Sequence, residues 1–192
     1  MIYLLAGVGG FVIMSFELLG GRVLAPYFGS DIYVWGSIIS IFMLSLAIGY
    51  LGGGRWSLRK PSMTKFAAVF LVAAALLYPM VFLAEPLMEW IFARFGDPRY
   101  GSLIAASVLF VLPTIALGFI SPYSVRLLVE STHSSGETAG RLYFISTMGS
   151  SLGTLMTSFY FVLWFEINTI LHGLVGTLVI LSGIGFLAAR TE

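Results

Sequence analysis

The chain has 192 residues, 58% of them apolar and 10% charged, with a mean hydropathy of +0.97 and a net charge of +1. A water-soluble domain carries about 25% charged residues, so the ten basic and nine acidic side chains here cannot cover the surface of a soluble globule. The surface must face lipid. The near-neutral balance gives no basic patch for a nucleic-acid partner, and the absence of Cys excludes a disulfide framework and thiolate metal sites.

The first apolar run covers residues 3–21 and is interrupted once, by Glu17. No Lys or Arg precedes it and no A-x-A cleavage pattern follows, so it is expected to be a helix of the mature protein rather than a signal peptide. Five further runs, 32–54, 66–84, 100–125, 142–165 and 167–189, hold no charge. Each approaches or exceeds the roughly 20 residues that span a hydrocarbon core. Because a backbone in lipid must satisfy its own hydrogen bonds, all are expected to be helical. The sequence therefore predicts an all-α integral membrane protein, a single transmembrane domain over residues 1–192 built as a bundle of about six helices.

Charged loops set the orientation. Arg55, Arg59, Lys60, Lys65, Arg126, Arg141 and Arg190 fall on one side, against Arg22, Arg94 and Arg99 on the other. The positive-inside rule places both termini in the cytoplasm.

Within the first run and its exit, Glu17 is the only acid inside an expected span. An ionised carboxylate there costs about 2.5–3.5 kcal/mol on insertion scales, so it needs a partner, a wet cavity or a proton. Arg22 lies about 140° around an ideal helix from it and does not share its face. Two readings stand: Glu17 lines a polar cavity and meets a cationic or protonatable ligand, or it belongs to a structural ion pair near the outer end of the helix. Gly20-Gly21 is expected to loosen the helix, and Pro26, Tyr27 and Gly29 to turn the chain into the second run, where Trp35 suits an interfacial anchor.

In the loop after the third run, Leu87, Met88, Ile91 and Phe95 share a helical face opposite Glu85 and Glu89, which predicts a short interfacial helix with Trp90 at the headgroup boundary. Pro113 and Pro122, around Gly118, are expected to kink or end the fourth run. The stretch 131–136 reads as a polar loop, and Gly149 and Gly153 form a small-xxx-small surface for a neighbouring helix. His133 and His172 have no other ligand at metal-binding spacing, so no metal or cofactor is expected. Glu166 and Asn168, in the short connection before the last run, read as solvated. No nucleophile–base pair is present in the sequence pattern, which argues against an enzyme.

A short internal echo links Leu24-Ala-Pro-Tyr27 after the first run to Ile120-Ser-Pro-Tyr123 after the fourth. Three spans apart, the copies would face opposite sides of the membrane, as inverted three-helix repeats do.

Two stretches carry a family likeness: Phe16-Glu-Leu-Leu-Gly-Gly-Arg22 continuing through Pro26-Tyr27 to Tyr33-Val-Trp35, and Gly140-Arg-Leu-Tyr143 continuing through Gly149 and Gly153, with Ser121-Pro-Tyr-Ser-Val-Arg126 between them. They resemble the membrane portion of the prokaryotic fused major-facilitator/spermidine-synthase-like proteins. The resemblance implies half of a major-facilitator-like bundle in a prokaryotic inner membrane, and a role in binding or transporting a small organic cation such as a polyamine. Glu17, Arg22, Tyr27 and Arg126 are its candidate ligand-binding or buried-charge residues. In that family a soluble aminopropyltransferase-like domain often follows; here any such chemistry is expected to reside in a separate synthase-like protein, and the alternative role is a membrane anchor or scaffold for such a partner. A homodimer or a heteromeric membrane partner would complete a facilitator-like path. Leu58 stands where the family's cytoplasmic Gly-Arg-x-x-Asp-Arg element has its acid, which counts against a facilitator-like gate in that loop.

Overall fold

The structure, a computed structural model, describes residues 1–129 and 135–190. Their secondary structure is helical throughout: α1 (Ile2–Phe28), α2 (Ile32–Ser57), α3 (Met63–Leu77), α4 (Met80–Arg94), α5 (Pro98–Gly118), α6 (Ile120–Leu128), α7 (Ser135–Met156), a π-helical turn (Thr157–Phe161), α8 (Val162–Trp164) and α9 (Ile167–Ala188). The all-α membrane bundle expected from composition is what the chain forms. Residues 131–134 of the expected polar loop, with His133, lie outside the described residues.

Proline chemistry explains where the helices depart from the expected boundaries. α1 does not end at Gly21 but runs to Phe28 and carries Pro26 inside it; the chain turns only at Gly29, whose φ of 79° is accessible to glycine. The third run does not span 66–84 as one rod. A proline ring excludes the carbonyl four residues back and supplies no N–H, so the helix breaks at Tyr78-Pro79 and α3 and α4 meet at a 43° bend. The interfacial helix predicted for residues 85–96 is thus the second half of α4. Met88 and Ile91 are buried and Glu85 and Glu89 exposed, while Phe95 remains exposed rather than joining the apolar face. Pro122 leaves the Gly118 carbonyl without its helical partner, and the fourth run divides at Phe119 into α5 and α6.

Four stretches are each long and apolar enough to cross a membrane: α1, α2, α5 continuing into α6, and α9; the bent α3–α4 pair supplies a fifth. The expected count of six is not reached on length and composition. The missing span, 142–165, falls in α7–α8, where Thr147, Ser151 and Ser158 are exposed and the π turn interrupts the α-helix.

Close approaches of glycine hold the bundle together. A Cβ on Gly149 or Gly153 would collide with the α1 backbone at Gly7 and Phe11, and one on Gly49 or Gly53 with the backbone at Ile115, Gly118 and Phe119. Ser182 Oγ donates to the Ala67 carbonyl across 2.9 Å, joining α9 to α3. The bundle centre is aromatic: Phe16, Phe42 and Phe110 from α1, α2 and α5 meet with ring centroids 5.4 Å apart and are fully buried. The most extensive pairings are α1 with α7, α2 with α5, and α3 with α9. Exchanging α1, α2 and α3 with α5, α7 and α9, in that order, leaves this set of pairings unchanged.

Contacts also sort the helix ends. Tyr123 of α6 lies against Trp56 and Phe66, and Gly185 approaches Met63 and Ala67, so the start of α3 shares one end of the bundle with α6 and the ends of α2 and α9. Tyr3 and Arg141 line a common depression there; this is called the Met1 end. At the opposite, Gly29 end, Phe28 packs on Phe92 and approaches Gly101, and the Arg99 guanidinium sits 4.8 Å over the Tyr33 ring.

Candidate functional site

The Gly29 end holds a cavity of about 730 Å³ between α1, α4 and the α8–α9 corner. Local sequence shapes each wall. The last turns of α1 present Arg22, Pro26 and Tyr27. The 43° bend brings in Phe82, Glu85 and Met88 from α4. On the third side, α8 stops at Trp164, the backbone becomes extended at Phe165 and Glu166, and α9 begins at Ile167, so Trp164, Phe165, Glu166 and Asn168 face the opening.

The charged groups at this mouth are two carboxylates, Glu85 and Glu166, and one guanidinium, Arg22. All three are exposed and none forms an ion pair among the described residues, where the Arg141–Glu137 pair at 2.7 Å stands alone. Glu166 precedes α9 without a side-chain capping bond, leaving both carboxylate oxygens available. Aromatic faces on Tyr27, Phe82, Trp164 and Phe165 complete the walls. Carboxylates beside aromatic faces attract cations both by charge and through the ring quadrupole. With the acids outnumbering the base, the mouth favours a positively charged guest.

The candidates singled out from sequence are separated by the fold. Arg22 and Tyr27 share the cavity; Tyr27 is half-buried with its ring 6.0 Å from Phe92. Glu17 is half-buried on α1 but is not part of this lining, and it makes no hydrogen bond or ion pair among the described residues. The structural ion pair that was one of the two readings of Glu17 does not form there, with Arg22 or with any other described residue. Arg126 is exposed on α6 at the Met1 end, on the far side of the bundle from the cavity. Gly149 and Gly153 lie against α1. Trp35 is half-buried and its ring lies against Gly21. His172 holds its Nδ1 2.8 Å from the Asn168 carbonyl and packs against the edges of Tyr78 and Phe82. The described residues contain no group of three metal-ligating side chains.

Reading the sequence missed Glu85 and Glu166 as site residues, because each looked like an ordinary loop acid. Pro79 was the available signal for Glu85, since a bend there swings the following turn inward. For Glu166 it was the aromatic pair Trp164-Phe165 immediately before an acid at a helix start.

Compared with protein-family models, curated proteins and solved structures, the chain returned no match.

Proposed function

We propose that this multi-pass membrane protein binds a small organic cation of the polyamine kind in the Gly29-end cavity, as a binding or transport subunit. The observation that carries the reading is the convergence of Glu85 and Glu166 on an aromatic-walled cavity with one opposing guanidinium. The resemblance to the membrane portion of spermidine-synthase-like proteins points to the same ligand class. These residues then act by binding the cation.

Orientation follows from the basic residues, seven toward the Met1 end and three toward the Gly29 end. By the positive-inside rule the Met1 end is cytoplasmic and the cavity opens to the outside of a prokaryotic inner membrane. In this reading the bundle is completed by α7 and α8 as a sixth crossing, giving two inverted repeats of three spans.

The test is equilibrium binding of spermidine to detergent-purified protein by calorimetry. The double variant Glu85→Gln/Glu166→Gln is expected to weaken binding about tenfold, from two exposed charge interactions of ordinary size. Asp31→Asn, which removes an acid from the neighbouring turn outside the cavity lining, is expected to leave it unchanged. Equal affinity in all three proteins would remove the proposal.

A further inference from the structure

The polar groups left over by this cavity lie together on another face. Gly10, Met14, Glu17 and Gly21 form one stripe of α1 at helical spacing. α7 covers Gly10 through Ser146 and Ser150, and the Trp35 ring of α2 covers Gly21. Between those two covers Met14 and Glu17 remain half-exposed, so Glu17 opens sideways through the gap between α2 and α7. Ser15 Oγ donates to the Gly153 carbonyl across 3.4 Å, which sets the turn of α7 just beyond Gly153 at the depth of Glu17.

That turn belongs to a second stripe. Thr147, Ser151 and Thr154 recur at i, i+4 and i+7, on the side of α7 next to Ser150 and hence toward Glu17, and Ser158 follows in the π-helical turn. Thr154 bonds back to the Ser150 carbonyl at 3.0 Å. Thr147, Ser151 and Ser158 are exposed, and their hydroxyls bond nothing among the described residues. The opposite side of the bundle differs in kind: the exposed positions of α3 and α9 include Leu71, Val72, Val179, Ile180, Ile184 and Leu187, a surface that hydrocarbon accepts.

An acid and a row of hydroxyls at membrane depth normally face protein or water rather than lipid tails. This face holds an acceptor without a donor and donors without an acceptor, and no cation stands in either stripe. We propose that a second copy of this chain docks on the α1–α7 face, with Glu17 of each copy hydrogen-bonded by the hydroxyls of α7 and its π-helical turn in the other. A two-fold axis brings one stripe against the other, as an isologous interface requires. The resulting polar seam between the copies is a site that one chain alone leaves incomplete.

The absence of Cys makes the test direct. Ser151→Cys and, separately, Ile180→Cys are placed in the full chain, and native membranes are oxidised with copper phenanthroline. The expected result is a disulfide-linked homodimer from Ser151→Cys and none from Ile180→Cys. Single-molecule photobleaching in nanodiscs should show two-step traces for wild type and for Glu17→Gln, which keeps hydrogen-bonding capacity. Thr147→Leu/Ser151→Leu/Ser158→Leu should give at least a fivefold rise in the one-step fraction. Cross-linking at Ile180 as readily as at Ser151, cross-linking to a different protein, or a triple variant as dimeric as wild type would each overturn the proposal. None of these readouts depends on spermidine, so the seam and the cavity stand or fall separately.

Discussion

The Ser62 backbone amide donates a hydrogen bond to the Tyr123 hydroxyl across 3.1 Å, tying the start of α3 to α6. The same ring stacks on Phe66 at an interplanar angle of 4° and is fully buried. Tyr27, its counterpart in the short echo, borders the open cavity at the other end. One copy of the Pro-Tyr pair therefore closes its end of the bundle while the other helps form a binding wall. Removing only the hydroxyl, with Tyr123→Phe, is expected to cost about 1 kcal/mol. Tyr123→Ala, which also leaves a cavity, should cost about 3–5 kcal/mol. Thermal unfolding in detergent measures both; equal melting temperatures for the two variants would contradict this role for the ring.

The glycines separate by what surrounds them. Gly153→Leu places a side chain against the α1 backbone at Phe11 and is expected to destabilise the bundle by more than the roughly 1–3 kcal/mol of ordinary overpacking. Gly183→Ala on α9 meets nothing within 4 Å and should be neutral or stabilising by about 0.5–1 kcal/mol. Size-exclusion profiles and melting curves of the two variants decide. A well-folded Gly153→Leu protein would show that α1 and α7 are not so closely apposed.

Arg22 opposes the guest that Glu85 and Glu166 attract. Arg22→Gln is therefore expected to tighten spermidine binding about two- to fivefold, the size of an exposed charge interaction, with the gain shrinking as salt rises. Calorimetry at low and high salt checks the sign. Weaker binding after Arg22→Gln would mean that the guanidinium contacts an anionic part of the guest.

Much of the fold was legible because lipid imposes one rule on every residue of a span. Ile32–Ser57 and Ile167–Ala188 match the uncharged runs to within three residues, since nothing in them disrupts an apolar helix. Prolines were harder to read. Pro26 is accommodated inside α1, Pro79 bends the third run, and Pro122 divides the fourth, because packing decides whether a freed carbonyl costs a kink or a break. The cavity was legible only in Arg22 and Tyr27. Glu85 and Glu166 are far apart in sequence, and their convergence depends on the bend at Tyr78-Pro79 and the extended backbone at Phe165, neither of which a hydropathy pattern contains.

Chemical protection of a single introduced thiol tests the cavity and its sidedness together. Tyr27→Cys, in a chain otherwise free of Cys, is expected to react with a membrane-impermeant maleimide in intact cells and to be protected by added spermidine. Lys60→Cys at the opposite end is expected to react only after permeabilisation. Labelling of Tyr27→Cys that requires permeabilisation, or that proceeds at the same rate with and without spermidine, would contradict an outward-facing cation site.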